Sequence, residues 1–243
     1  MKTIALIPAR AGSKGLVNKN IKLLGDIHLI GYSILAARMT LEIDEVYVST
    51  DSKDYARIAN HYGAKTPFLR PESLSTDSSS DIDFFIHAVE WFKKNLNVEP
   101  LRIVHLRPTT PLRDPNIISK ALKDIESDDQ CTSLRSCHKA PESPFKWFLK
   151  DDNNYLKSFN NLSPDASNDP RQGFPDVYIP DGYVDIIKLE TLKKKILHGD
   201  KVRLFETPVT YEIDNESDFK FIEYQLEKVG SPMLEFYNSF LNK

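Results

Sequence analysis

The 243 residues, 40% hydrophobic and 28% charged, have the composition of a soluble globular protein, and as one domain such a chain buries roughly 70–75% of its unfolded surface. A net charge of −3 from 32 basic and 35 acidic residues excludes a general nucleic-acid binder, whose affinity rests on excess positive charge, so any anion site must be local. No apolar run approaches the eighteen or so residues of a membrane span, and M-K-T-I-A-L-I-P lacks a long apolar core and a small-x-small cleavage site, so the expected protein is cytoplasmic and meets neither membrane nor nucleic acid.

Ile4–Ile7 is a continuous apolar run ended by Pro8, the pattern of a short strand buried on both faces. Past its end stand Arg10, Ser13, Lys14 and Lys19 with glycines at 12 and 15. Open α/β sheets bind ligands at this end of a strand, and the amides of such a loop can ring a phosphate. Neither G-x-x-x-x-G-K-[ST] nor G-x-G-x-x-G is present, since Gly12 and Gly15 are three apart, so the loop taken alone also fits a solvated, lysine-rich turn.

Ser33–Leu41 has helical composition, Glu45–Thr50 reads as a strand, and Tyr55, Ile58, Ala59 and Tyr62 give 52–62 helical spacing. That is βαβ, hence one α/β domain over 1–243 with a parallel sheet and right-handed crossovers. Asp51 is expected to cap the second helix. Thr66–Leu69 is expected to be a short strand, and the serine-rich stretch Arg70–Ser80 a flexible loop or the cap of a helix over Asp81–Asn95. Arg70 offers a fork for a phosphate or base edge.

Leu101–Leu106 is the next buried strand, followed by R-P-T-T-P-L-R over 107–113. Two prolines make that segment stiff and non-helical, and Asp114 then opens a helix with Pro115 at its first position. Cys131–Cys137 is expected to be a strand, which holds its two thiols on the order of 20 Å apart, beyond disulfide reach, as reduced and buried residues. The stretch 138–170 is rich in Pro, Asn, Asp and aromatics and is too long for a structureless loop in a compact domain, so it reads as a small lobe or an exchanged arm.

Val202–Pro208 reads as a strand leading to E-I-D-N-E-S-D over 212–218. An acidic run like this is often a solvated helix start. In an extended segment, however, Glu212 and Asp214 point the same way and can share one hard cation. Helices over Ser217–Val229 and Pro232–Leu241 end the chain, the last amphipathic.

The string I-P-A-R-A-G-S-K-G-L-V-N-K-N over 7–20 resembles the N-terminal signature of the sugar-activating cytidylyltransferases, [IL]-P-A-R-x-x-S-K-G-[IL]-x-x-K-N. V-S-T-D at 48–51, the Arg70–Ser80 segment, the 107–113 segment, Arg171–Pro175 with 178–186, and 212–218 resemble further elements of the family in the same order. Members that activate sialic acid and related nonulosonic acids look most similar, with Kdo-activating enzymes a more distant branch.

The resemblance implies a three-layer, Rossmann-like, mostly parallel sheet of the nucleotide-diphospho-sugar transferase type, with 138–170 as a dimerisation lobe. It implies transfer of CMP from CTP to the anomeric hydroxyl of a sugar acid by a homodimer that uses Mg²⁺. Arg10, Ser13, Lys14, Gly15, Asn20, Arg70 and Ser80 would hold the nucleotide, with Arg10, Lys14 and Asp214 catalytic. Glu212 and Asp214 would hold the metal, and Arg107, Lys146, Arg171 and Gln172 the sugar acid. Arg107 stands where the family has Gln, so it either faces a different substrate or pairs with a structural carboxylate. Lys146 also fits a surface lysine. The alternatives are a Kdo-type enzyme and a non-catalytic nucleotide-sugar binder of the same fold.

Overall fold

In the computed structural model, which describes residues 2–13, 15–160 and 162–241 apart from the side chains of Phe240 and Leu241, the N-terminal apolar run is β1 (Thr3–Pro8), buried until Pro8. Two short strands follow, β2 (Leu23–Leu24) and β3 (Ile27–His28), then α1 (Leu29–Met39), β4 (Glu45–Ser49), α2 (Lys53–His61) and α3 (Asp81–Leu96). Next come β5 (Arg102–His105), α4 (Pro115–Glu126), β6 (Ser133–Lys139) and a hairpin of β7 (Phe148–Lys150) with β8 (Leu156–Ser158). The chain ends with β9 (Tyr178–Lys188), α5 (Leu189–Lys193), β10 (Val202–Glu206), α6 (Glu216–Val229) and α7 (Pro232–Leu241).

The central sheet has the order β10-β6-β9-β5-β1-β4. Its pairings are parallel except those of β9, which runs antiparallel to both neighbours. Side chains of β1 alternate between two apolar layers: Ala5 and Ile7 face one with Ile34, Val104, Ile186 and Phe219, and Ile4 and Leu6 face another with Phe85, Phe92, Ile103 and Ile187. Helices α1, α4 and α6 thus cover one face and α3 with α5 the other, giving three layers. Leu6 is fully buried, and truncating such a side chain to Ala costs about 2–5 kcal/mol.

Boundaries differ from the pattern where a local constraint wins. The strand expected over 66–69 is a single bridge from Lys65 to Tyr47, whose amide and carbonyl bond Val46 O and Val48 N. Pro67 has no N–H with which to extend the ladder. Helix α1 starts at Leu29, earlier than expected, and β6 begins two residues after Cys131. Both cysteines are free and buried. Helix α4 matches expectation, with Asp114 accepting from Asn116 N at 2.8 Å and Pro115 at the first position.

Two features of the β9 region shape the site. Between Lys139 and Tyr178 the chain leaves the sheet as a lobe of 3₁₀ turns around the β7–β8 hairpin. Phe145 stacks on Phe174 there, while Trp147, Tyr155 and Phe159 are 46%, 71% and 53% exposed. Within β9 the register against β6 jumps from Arg135–Asp185 to Cys137–Pro180, so several residues of β9 bulge out opposite Ser136. Buried Asp181 closes that bulge, accepting from Ser136 Oγ at 2.6 Å, Tyr183 N at 3.0 Å and Thr207 Oγ1. Bulges next to sites re-aim the chain, and this one turns Gly182 toward the C-terminal ends of the parallel strands.

Candidate active site

A cleft of about 480 Å³ opens past the ends of β1 and β5, where a doubly wound sheet takes its ligands. Its first wall is the loop after β1. Asp51, expected to cap α2, does not; Ser52 does, accepting from Tyr55 N. The Asp51 carboxylate instead accepts from Ala11 N at 2.8 Å, and Asn20 Nδ2 donates to Arg10 O at 3.1 Å. The loop is therefore tied down at two points while Arg10, Ser13 and Gly15 line the cleft. Lys14 lies outside the described residues.

The second wall is the approach to α3. Ser80 is the N-cap, its N and Oγ both donating to Asp83, and it lines the cleft with Thr76, Asp77 and Phe84. Arg70 reaches the same wall, but two of its nitrogens are engaged, Nε with Ser49 Oγ at 3.0 Å and Nη2 with Ser49 O at 2.6 Å. It lies over the Phe84 ring, and burial lowers its pKa to about 10, which leaves it charged at neutral pH. Much of its donor capacity serves the fold.

Arg107, Pro108 and Thr109 form the third wall. Behind them Arg113, 1% exposed, is a buried post. Its Nε donates to Tyr183 O at 2.6 Å, its Nη2 to Arg107 O at 2.8 Å and Gly182 O at 2.9 Å, and its Nη1 to Ser33 Oγ at 3.0 Å and Thr110 O. Five acceptors around one guanidinium hold the 107–113 turn and the β9 bulge together. The Arg107 side chain donates to Asp81 Oδ2 at 2.7 Å, so it both lines the cleft and pairs with a carboxylate.

Asp214 completes the cleft. Ile213 is fully buried and its N donates to Thr109 O at 2.8 Å, which leaves the side chains of Glu212 and Asp214 on the outer side, as alternation requires. Lys19 Nζ donates to Ile213 O at 2.6 Å and to Asp214 Oδ1 at 3.1 Å. A Cβ on residue 15 would stand 2.5 Å from Asp214 O, so only glycine lets the cationic loop touch the carboxylate segment. At Gly182, with φ +64, a Cβ would strike the Glu212 carboxylate.

These residues fit a hard cation. Burial raises the pKa of the Glu212 carboxyl, Arg107 opposes this and Asp214 adds to it, so a cation beside the two carboxylates would relieve their like charge. Among the described residues no three or more His, Cys, Asp or Glu side chains group as metal ligands. A metal here would be held by two carboxylates and complete its shell with water and ligand oxygens, the habit of Mg²⁺.

Lys146, Arg171 and Gln172 are not at this cleft. Lys146 Nζ donates to Asp169 O and Arg171 Nη2 to Ala140 O at 2.9 Å, and Gln172 is exposed in the 3₁₀ turn Arg171–Gly173. All three belong to the lobe. Conversely, the sequence reading missed the tether Asp51, the post Arg113 and the partners Asp77 and Asp81. Arg10 Nη2 donates to Asp77 at 2.7 Å. The one local hint was that Asp77 and Asp81 flank the serine run.

Residues 4–155 match the family model described as "Cytidylyltransferase". The chain is 32% identical over its whole length to N-acylneuraminate cytidylyltransferase of Escherichia coli O18:K1:H7, and 42% identical over 51% of its length to CMP-N,N'-diacetyllegionaminic acid synthase of Legionella pneumophila. The matches span 56% and 53% of those proteins, about half of each. A solved CMP:2-keto-3-deoxy-manno-octonic acid synthetase complexed with CTP shares the fold, with a TM-score of 0.70 at 16% identity, covering 94% of this chain and 99% of that one. The chain therefore belongs to the cytidylyltransferase family, and its curated relatives include members named for nonulosonic acids.

Proposed function

We propose that this protein transfers CMP from CTP to the anomeric hydroxyl of a nonulosonic acid and releases pyrophosphate. The observation that carries the reading is the close approach of Gly15 to the Asp214 backbone, which joins a cationic, amide-rich loop to the segment that carries Asp214 into the same cleft. A binder that only held a nucleotide sugar would have no use for a cation site beside its phosphate loop.

The sugar's anomeric oxygen attacks the α-phosphorus in line and pyrophosphate leaves from the opposite side, with no covalent enzyme intermediate. The protein's part is positioning and charge neutralisation. Arg10, with Lys14, takes up the charge of the departing pyrophosphate, and the amides of Ser13 and Gly15 close the cradle. Asn20 fixes the loop, and Arg70 and Ser80 border the nucleotide. Glu212 and Asp214 hold Mg²⁺, which when bound supplies Lewis-acid stabilisation of the phosphate oxygens.

Arg107 faces the sugar acid. Arginine offers five donors and no acceptor, so it cannot repeat a glutamine's contacts, and the preferred acid is expected to differ in its substituents from N-acetylneuraminate, a legionaminic- or pseudaminic-type acid being the candidate. Lys146, Arg171 and Gln172 can serve the sugar acid only if the lobe reaches the cleft of a second copy. The exposed aromatics of the lobe support that two-fold homodimer. No helix among the described residues is long and apolar enough to cross a membrane, and a CTP-dependent reaction belongs in the cytoplasm.

The test is pyrophosphate release from CTP and Mg²⁺ across N-acetylneuraminate, legionaminic-type and pseudaminic-type acids, and Kdo. Release with a nonulosonic acid is expected. Release with Kdo alone would move the protein to the Kdo branch, and binding of CMP-sugar without release would make it a binder.

A further inference from the structure

We propose that buried His105 and Asp185, with half-buried Arg135, form an array that positions Arg107 for the sugar acid, which makes His105 and Asp185 positioning residues that set substrate preference. The inference rests on the reading of the cleft just given. On the sheet, His105 of β5 is in register with Asp185 of β9, which is in register with Arg135 of β6. Ile103 and Ile187, two residues away on the same strands, belong to the apolar layer under α3, so the three side chains lie in a row on that face.

A row like this is a costly way to fill a core. His105 Nδ1 is 3.8 Å from Asp185 Oδ2, and Arg135 Nε is 3.7 Å from Asp185 Oδ1, both longer than hydrogen bonds. His105 Nε2, Asp185 Oδ1 and Arg135 Nε are buried without a hydrogen-bond partner. Each such group costs about 1–3 kcal/mol, which leucine and valine at these positions would not. Polar groups retained at that cost call for an explanation outside the core.

The array points to Arg107. His105 ends β5 and Arg107 follows two residues later on the cleft wall. The His105 ring stands edge-on to Phe84 and Phe85 at 5.6 and 5.1 Å, and Phe84 lines the cleft one helical turn after Asp81, the partner of Arg107. Two ion pairs thus flank the His105 ring, Arg107 with Asp81 at the cleft and Arg135 with Asp185 in the sheet.

Protonation states agree with this geometry. Burial lowers the His105 pKa, Asp185 pulls it up, Arg107 pushes it down again and Asp81 pulls the other way. Burial opposes the charge on Asp185, but His105, Arg135 and His198, from the turn after α5, outweigh it and hold its pKa below the ordinary value. Neutral His105 over an ionised Asp185 adds no cation beside Arg107, so among the described residues the guanidinium keeps its ion pair with Asp81. An incoming carboxylate or acyl oxygen displaces that partner, and the array sets how readily it does so.

Two measurements on the intact protein test the proposal. Imidazole NMR titration needs no substrate: Arg107→Gln should raise the His105 pKa and Asp185→Asn should lower it, and an unmoved His105 in Arg107→Gln overturns the coupling. In kinetics, His105→Leu, which fills the space between Phe84 and Phe85, should raise KM for the sugar acid about tenfold with KM for CTP within about twofold. The double variant His105→Leu/Arg107→Gln should be no worse than Arg107→Gln alone. Equal rises for both substrates, or additive losses, overturn the proposal. His105→Gln replaces the leucine variant if that one does not fold. If the unaltered protein releases no pyrophosphate with any sugar acid, the proposed activity falls, and the NMR titration alone then decides whether the array acts on Arg107.

Discussion

Around the cleft Arg10, Lys19 and Arg107 each already hold a carboxylate, at 2.7, 3.1 and 2.7 Å, whereas the lobe between β6 and β9 leaves Trp147, Tyr155 and Phe159 largely in solvent. The cleft is pre-organised by its own chain: its cations are held in place by carboxylates that an incoming anion would have to displace. The lobe is organised toward something else. Its Lys146 and Arg171 bond carbonyls of the lobe itself, and its exposed rings form a patch that a single copy does not cover. Pre-organisation in one region and an unmet surface in the other suit chemistry done within one subunit and completed by a second.

The largest expected effect breaks the cleft. Asp214→Asn keeps size and removes a charge from a hard-cation site, and Lys14→Ala removes a cation from the phosphate loop. Each should cut turnover by on the order of 10²–10³ in a pyrophosphate-release assay, with added Mg²⁺ rescuing Asp214→Asn little. Normal activity in both would reduce the cleft to a solvated surface.

Next is the post behind it. Arg113→Leu strips five acceptors of their shared donor and should cost about 3–5 kcal/mol, a Tm lower by about 10 °C for a chain of this size. A melt within a few degrees of the unaltered protein would mean that the turn stands without it.

The comparison is sharpened by mixing subunits. If the lobe completes a neighbour's cleft, Asp214→Asn and Arg171→Ala proteins, each inactive alone, should recover about a quarter of full turnover on mixing, because half the dimers are mixed and each holds one complete cleft. No recovery confines each cleft to its own chain. Trp147→Ser/Phe159→Ser, at two rings exposed in a single copy, should shift light scattering from dimer to monomer at micromolar concentration, with a far-UV spectrum that stays native.

The smallest effect concerns acid. His105 and Asp185 both have folded-state pKa values below the ordinary ones. Each contributes stability that is present above its unfolded pKa, about 6.5 and 3.9, and lost as pH falls toward the folded value. Melts should show Tm sliding downward from about pH 6.5, with Asp185→Asn flattening, relative to the unaltered protein, its own share of the slope below about pH 4. A pH-independent Tm over this range would remove both from the stability of the fold.

The amino-acid sequence by itself determined the alternation of strands and helices, the loop at the end of β1 and the Asp114–Pro115 start of α4. All are local: apolar period and proline chemistry act within a few residues, so no partner had to be known. The tertiary structure alone decided what each side chain spends itself on. Asp51 reads as a helix cap until Ala11 arrives, Arg70 lines the cleft but gives two of its nitrogens to Ser49, and Lys146, Arg171 and Gln172 read as cleft residues until the lobe carries them away. Lys19 and Ile213 are 194 residues apart in sequence and 2.6 Å apart in space. A polar side chain has several acceptable partners and no periodicity announces which, so its role is settled by the folded neighbours that come within hydrogen-bond reach.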